Sequence, residues 1–465
     1  MIEEGTVLAA LRTAMRGRPD GADVFAQEIG LLDIEVNGRA VRSVRGTNLG
    51  AAVLVRDGAS TGHACVDSHD DRSVLDAAAT AASICRRRGG SSDRRSVLSR
   101  RHGSCAIRVD PATVGLDRKV EALLIADDVA RSHSPKVKQV RAVWHERREH
   151  NVVATHDGGL TTDDRLQVRL GVQVVAQEND RSWSGYEARG ITGGFELLEE
   201  APPEEVAAEA ARRAVEMLGG VDMESRLMPV VLAPAVAGLV VHEVYGHALE
   251  ADAVPADGDP DGGAAMPRGL GAKVGTEEIT IRDDPLVPGG FASYAFDGEG
   301  IAAQAVTLVE HGRIAGYLCD RASAARAGMG LNGHGLRQDY RYAPLPRMTN
   351  THLLNGTSDP YDLVGGVANG VYVTALTGGG VNPSTGNCAF GISEAHLIDR
   401  GQIGQAVRAS SIVGSSSDLL KRIVAVGNDF AARPNRCGKS GQWVRCTIGS
   451  PTVLIERILV TGSGR

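Results

Sequence analysis

An α+β fold in three units is what the sequence predicts: a small α+β N-terminal unit (residues 1–105), a central unit of antiparallel sheet plus helices (106–222), and a β-rich C-terminal domain (223–465) carrying one helix suited to a metal. Three observations lead there. Short runs of β-prone residues bounded by Asn, Asp and Gly recur along the chain. Three stretches instead carry small and apolar residues at helical spacing. A length of 465 residues makes about three domains at the usual ~150 residues each. Aromatic residues are only 4% of the chain, so aliphatic side chains must fill the cores.

The elements follow in order. Asp33–Val36 and Val41–Val44 flank Asn37-Gly38, a hairpin signal, and Ala51–Val55 is a further β-prone run. Asp71 can cap a helix that carries Val74, Leu75, Ala78, Ala81, Ala82 and Cys85 on one side. The Arg-, Ser- and Gly-rich stretch from Arg86 to Arg101 reads as a solvated linker rather than a nucleic-acid patch, and a unit boundary is expected near Ala106. Val120, Leu123, Leu124 and Ala126 mark a helix over Leu116–Ala130; Val137–Trp144 and Leu166–Val175 then alternate as strands of an antiparallel meander. Pro202-Pro203, an acidic first turn and Gly219-Gly220 bracket a helix over Glu204–Leu218. Past a second boundary near Asp222 the chain is strand-like with Gly and Pro turns, except from Pro234 to Glu250.

Composition narrows the function. Lys+Arg total 50 against Asp+Glu 57, a net charge of −7, without the basic footprint of a nucleic-acid binder. The longest apolar stretch, Leu227–Val241, is broken by Pro229 and Pro234 and falls short of the ~20 residues a membrane-spanning helix needs. The first residues are acidic and Arg12, Arg16 and Arg18 follow, the wrong charge order for a secretory signal, so a cytoplasmic protein is expected. Seven scattered cysteines make no disulfide framework and are expected to be reduced.

The chemistry concentrates at the end of the apolar helix, in His242-Glu243-Val-Tyr245-Gly246-His247-Ala-Leu-Glu250-Ala-Asp252. Two imidazoles with a Glu directly after the first are the elements of a hydrolytic zinc site, in which the carboxylate takes the proton of metal-activated water. The spacing departs from the common version. Residues four apart stand ~40° apart around a helix, but residues five apart stand ~140° apart. A π-bulge would bring His242 and His247 onto one face, and Gly246 would ease it. A third ligand is still required; Glu250, Asp252 and Cys437 are candidates, the last beside Lys439, which could favour its thiolate. Cys446 is assigned to packing.

Taken together, these blocks resemble the TldD/PmbA family of modulator-of-gyrase peptidases, on the TldD, catalytic side. The resemblance rests on His242-Glu-x-x-Gly-His247-x-x-Glu250-x-Asp252, on Asp283-Asp284-Pro285 through Phe296-Asp297-Gly298-Glu299-Gly300, on Pro344-Leu-Pro346-Arg347-Met348-Thr349-Asn350-Thr351, on Gly378-Gly379-Gly380-Val381-Asn382-Pro383 with Ser393-Glu394-Ala395, and on Cys437-Gly-Lys-Ser-Gly-Gln442. It implies zinc held by His242, His247 and Cys437, Glu243 as general base, and an α+β N-terminal region before a β-rich domain. It also implies a dimer, often with a metal-free PmbA/TldE-type paralogue, enclosing a cavity for unfolded peptides. The chain departs from the family pattern at Leu336, where an Arg is usual, and at Arg445-Cys446, where Pro-Val is typical; both bear on substrate preference and pairing.

The expected function is thus a zinc metallopeptidase acting on small or unfolded peptides, as a homodimer or a heterodimer with such a paralogue, without nucleic acid or membrane. The alternative is a zinc amidohydrolase acting on a peptide-like or amino-acid-conjugated metabolite. A non-catalytic assembly partner is disfavoured by the intact metal residues. A thiolate ligand makes the metal a milder Lewis acid, so the protein must help stabilise the oxyanion; Arg347, Asn350 and Tyr245 are candidates.

Overall fold

The computed structural model describes residues 2–462 apart from 18, 59, 86–98, 255–268 and 383. The first part of the chain forms α1 (Glu4–Ala14), β1 (Gly21–Asn37), β2 (Ala40–Asp57), β3 (Ser60–Val66), α2 (Asp71–Ile84) and β4 (Ser99–Ser104). There follow α3 (Leu116–Ser132), β5 (Val137–Thr155), β6 (Gly159–Glu178), β7 (Arg181–Thr192), α4 (Leu197–Glu200) and α5 (Pro203–Leu218). One seven-stranded sheet takes strands from both sides of the boundary expected near Ala106, in the order β3-β2-β1-β5-β6-β4 with β7 also on β6. Two helical layers cover it. Val7, Ala10, Val74 and Ala78 of α1 and α2 pack on Val24 and Val53; Leu123, Ala126, Ala210 and Ala214 of α3 and α5 pack on Ile34, Trp144, Leu166 and Leu170.

Two local features differ from the sequence reading by one residue each. The hairpin pairs Asn37 with Ala40, so Gly38 and Arg39 make the turn, both in the left-handed region at φ 56° and 67°. This register puts Leu32, Ile34 and Val36 onto the buried face, and a one-residue slip would turn all three outward. The helix cap is Asp70, whose carboxylate accepts the Ser73 N–H at 2.9 Å, while Asp71 lies in the first turn, where its charge suits the helix dipole. Ala51–Val55 belongs to the same long strand as Val41–Val44. Of the expected linker, 86–98 lie outside the described residues and Ser99–Arg101 open β4, which runs parallel to β6.

The rest of the chain supplies β8 (Val221–Asp222), β9 (Arg226–Leu232), α6 (Val236–Val241), β10 (Ile281–Asp283), β11 (Val306–Glu310), β12 (Arg313–Ile314), β13 (Gly335–Leu336), β14 (Leu345–Pro346), β15 (Asn350–Leu353), β16 (Asn369–Val381), β17 (Asn387–Asp399), β18 (Gln402–Ser415), β19 (Ile423–Val426), β20 (Ala431–Lys439), β21 (Gln442–Ser450) and β22 (Val453–Gly462). They form a seven-stranded sheet, β19-β22-β9-β16-β17-β18-β8, a six-stranded one, β12-β11-β10-β15-β21-β20, and a separate β13-β14 pair. Val230, Leu232, Val240, Leu308, Phe390, Ile412 and Ile455 belong to their common core. The chain is therefore α+β. Helix α6 is buried along its whole length and lies so close to β21 that a Cβ on Gly238 would stand 2.7 Å from the Gly449 nitrogen. Among the described residues, no helix is long and apolar enough to cross a membrane, and all seven cysteines are free.

A buried ion network joins the first sheet to the last domain. Arg56 of β2 donates to Asp23 at 2.8 Å and to Glu299 at 2.6 Å, and the Arg321 N–H reaches the other Glu299 oxygen at 2.6 Å. Burial raises the Glu299 pKa; Arg56 opposes it, and Asp297, Asp320 and Asp23 add to it. A carboxyl whose folded pKa exceeds its unfolded value keeps a proton that unfolding would release, so its contribution declines as pH rises from the ordinary carboxylate range through the raised value. The denaturation midpoint of the wild type is expected to fall over that interval more steeply than that of Glu299→Gln, which stays neutral. Parallel urea titrations across pH would check this; identical slopes would refute it.

Candidate metal centre

The path into the centre begins where β9 leaves its sheet. Ala235 takes a left-handed conformation at φ 66°, and its N–H is caught by the Ser450 carbonyl at 2.8 Å. The Ser450 hydroxyl accepts the Gly238 N–H at 3.0 Å, which seats α6 on β21. After one and a half turns of α-helix, His242–Gly246 widen into a π turn, and the His247 N–H donates to the His242 carbonyl five residues back. The widened turn is the device the five-residue spacing called for. The two rings lie with centroids 5.2 Å apart and planes at 86°.

Gly246 is needed for a different reason from the expected one. Its backbone is ordinary right-handed helix, φ −56° and ψ −58°, and needs no glycine. The need is space: a Cβ there would lie 1.8 Å from Sδ of Met348, itself fully buried. Gly246→Ala is expected to cost about 1–3 kcal/mol, the usual penalty for overpacking a closed core. Denaturant melts would show it; an unchanged midpoint would mean that Met348 moves aside freely.

Cys437 comes to the same point from the β20–β21 hairpin. Its Sγ is 3.3 Å from His247 Nε2, and one donor atom from each of His242, His247 and Cys437 lies within 4.8 Å of the others. Both ring nitrogens of His242 are buried without a hydrogen-bond partner among the described residues. Such orphaned polar atoms are costly, and an ion held with His247 and Cys437 would satisfy one of the two. Burial opposes ionisation of the thiol, but the adjoining imidazoles of His242 and His247 outweigh it and bring the Cys437 pKa down to about 5. Burial likewise opposes charge on His247, yet Cys437 and Glu250 raise its pKa to about 10. Both shifts favour a thiolate on Cys437 and charge on His247, and a thiolate is the form that binds metal.

The other candidate ligands stand one step back. Glu250, fully buried, accepts from His247 Nδ1 at 2.9 Å, which leaves Nε2 facing the sulfur. Lys439 binds Glu250 at 2.8 Å, Asp252 at 2.6 Å and the Pro346 carbonyl at 3.2 Å, so it neutralises these acids and does not touch the thiol. Glu250→Gln is expected to weaken metal binding by ~10–100-fold, the range for a group that orients a ligand imidazole. Competition with a chromophoric chelator measures this; unchanged affinity would mean that Glu250 does not set the tautomer. Glu243 stays partly exposed, its carboxylate 3.9 Å from His247 Nε2. Burial raises its pKa against the pull of both histidines.

The residues considered for oxyanion stabilisation have other work. The Tyr245 hydroxyl points to the Val274 carbonyl at 3.5 Å, and Asn350 is spent on Asp284 O, Ser293 Oγ and the Ala292 N–H. Arg347, wholly buried, donates to the carbonyls of Cys437 at 2.6 Å and Gln442 at 3.4 Å, one at each side of the hairpin turn. Sequence reasoning missed this clamp because no local pattern links residue 347 to residue 437. A second grouping, Glu216, Glu394 and His396, also has donors within 4.8 Å. There Arg212 already contacts Glu394 at 2.7 Å and Glu216 at 2.6 Å, and Arg213 reaches Glu394 at 3.0 Å.

Comparison with known families gives residues 225–462 as a PmbA/TldA metallopeptidase C-terminal domain and 109–218 as the central domain of the same family. The chain belongs to the PmbA/TldD metallopeptidase family. It is 32% identical over 354 residues to a metalloprotease TldD homologue of Haemophilus influenzae, covering 75% of this chain and 72% of that protein. A metalloprotease of Methanothermobacter thermautotrophicus is 34% identical over 307 residues, 66% of each chain. A zinc metalloprotease TldD homologue of Saccharolobus solfataricus is 26% identical over 339 residues, 73% of this chain and 74% of that one. The fold matches a putative modulator of DNA gyrase from Thermotoga maritima (TM-score 0.78, 18% identity, 98% of this chain and all of that one). It also matches TldE from Thermococcus kodakarensis (TM-score 0.78, 17% identity, again 98% and all). As a member of the PmbA/TldD family the protein is a metallopeptidase, hence a hydrolase.

Proposed function

We propose that this PmbA/TldD-family protein is a zinc peptidase for small or unfolded peptides, in which His242, His247 and Cys437 hold the ion and Glu243 is the general base. The observation that carries the reading is the convergence of two imidazoles and a thiolate around orphaned, buried His242 nitrogens. That donor set suits zinc, and ligands on a tetrahedral zinc with bonds of ~2.0–2.3 Å stand roughly 3.5 Å apart, close to the 3.3 Å between Cys437 and His247. Zinc, when bound, supplies a Lewis acid that polarises the scissile carbonyl and makes water acidic enough to be deprotonated near neutral pH.

The chain's own groups do the rest. Glu243, partly open to solvent and with its pKa raised by burial, takes a proton from the attacking water and returns it to the leaving amine. Glu250 fixes His247 so that Nε2 faces the ion, and Arg347 holds the hairpin that carries Cys437. The assembly we infer is a homodimer or a heterodimer with a PmbA/TldE-like paralogue, as membership of the family implies, and seven free thiols suit the cytoplasm. The test is mass-spectrometric detection of cuts in a mixture of unstructured peptides by zinc-loaded protein. Cleavage lost on chelation and restored by zinc is expected; cleavage that survives complete metal removal would overturn the reading.

A further inference from the structure

The first half of β2 is an open sheet edge. From Ala40 to Leu49 its ten residues are all exposed, whichever face of the sheet they point to. β3 covers the same edge only from Ala51 to Asp57. Val41 and Val44 are each 48% exposed and Leu49 38%. Edge strands are commonly blunted by Pro, Lys or a bulge, because their free N–H and C=O groups invite another strand. Here the ten residues hold neither Pro nor Lys, and the register with β1 runs without a break.

Backbone parity fixes which groups face outward. Gly38 and Arg39, both left-handed, make a two-residue turn, so the flanking pair, Asn37 and Ala40, is hydrogen-bonded. Hydrogen-bonded and open pairs alternate from there, so Ala40, Arg42, Val44 and Gly46 bond to β1. Val41, Ser43, Arg45 and Thr47 present their N–H and C=O to the free edge. The far end of the strand agrees, since Asp57 pairs with Ser60 across another two-residue turn and so bonds outward to β3. Apart from β1, no described residue hydrogen-bonds to the main chain of Val41–Thr47.

We propose that this edge pairs with the same edge of a second copy of the chain, antiparallel about a two-fold axis at Val44. The proposal rests on the homodimer reading above and gives it a surface. In that register Val41 faces the partner's Thr47 and Ser43 the partner's Arg45, outward groups meeting outward groups, and the two-fold repeats both pairs. Arg42 falls opposite the partner's Gly46, where a Cβ would meet nothing, and Val44 meets the partner's Val44. Centring on Ser43 would set both exposed valines against arginines, and centring on Arg45 would set arginine on arginine, which destabilises a sheet. Nor is the edge a basic strip that selects an acidic peptide: Arg39 pairs with Asp128 at 2.6 Å, and Arg42 stands opposite Glu35.

Gel filtration with light scattering, on metal-free and zinc-loaded protein alike, reads the assembly. Ser43→Pro removes an N–H that faces the free edge, so the single chain loses no ladder bond while the pairing loses one from each copy. A wild-type dimer is expected, with dissociation at least tenfold easier in Ser43→Pro. Val44→Cys should cross-link to its own copy under mild oxidation, because Cα atoms of such an open pair stand about 4.5 Å apart, within reach of a disulfide. Val41→Cys, about 20 Å from its copy along six residues of strand, should not exceed the wild-type background. A dimer indifferent to Ser43→Pro, or no cross-link through Val44→Cys, overturns the edge and leaves the homodimer; a monomer at every concentration overturns both. If Ser43→Pro fails to fold, the cross-linking pair decides.

Discussion

Glu243→Ala is expected to retain zinc and to lose kcat by ~10²–10⁴-fold, the usual contribution of a positioned general base. The geometry makes this a clean experiment. Glu243 is partly exposed, and its nearest charged neighbour, His247 Nε2, is 3.9 Å away, so truncation strands no buried partner and opens no cavity in the core. His242, His247 and Cys437 are untouched, and Glu250 still orients His247. Glu243→Gln should match the Ala variant, because an amide cannot accept the proton although it fills the same volume. Steady-state kinetics on a peptide found in the digest, with metal content measured on the same samples, decides the matter. Activity within a few fold of wild type, with zinc still bound, would place the base elsewhere.

Cys437→Ala should fail at the other end of the mechanism, losing the metal itself. Altering a group that merely orients a ligand costs ~10–100-fold in affinity, and removing a thiolate donor should exceed that. The hairpin should persist without the sulfur, since Arg347 grips it through main-chain carbonyls and Lys439 ties it to Glu250 and Asp252. The metal-free variant should therefore melt close to the metal-free wild type while binding zinc more than ~100-fold more weakly. Chelator competition and thermal melts on both apo proteins separate the two effects. Unchanged zinc affinity would leave His242 and His247 in need of a different third donor.

The part of the centre that was legible in the sequence is the part made by consecutive residues. His242, Glu243 and His247 sit in one apolar helix, and their five-residue spacing left a π turn as the backbone solution, which the fold contains. Cys437 could be named from the family pattern, and the fold sets its sulfur against His247. What the sequence left open depends on contacts between distant segments. Glu250 and Asp252 could have been ligands until Lys439, 189 and 187 positions away, was seen to take them up. Gly246 was read as a backbone residue, but it is a packing residue because Met348 arrives from another loop. The sheet's continuity across residue 106 is likewise a matter of pairing between β1 and β5, which no local pattern reveals.

His247 and Cys437 are 190 positions apart in the chain. Any ion gripped by both is a staple across that span, and closing a loop of such length removes on the order of 4–5 kcal/mol of chain entropy from the unfolded ensemble. The centre is then part of the architecture as well as of the chemistry: an ion held by both residues would add a further tie between the last hairpin and the helix to those that Arg347 and Lys439 already make, so that loading would raise the stability of the C-terminal domain.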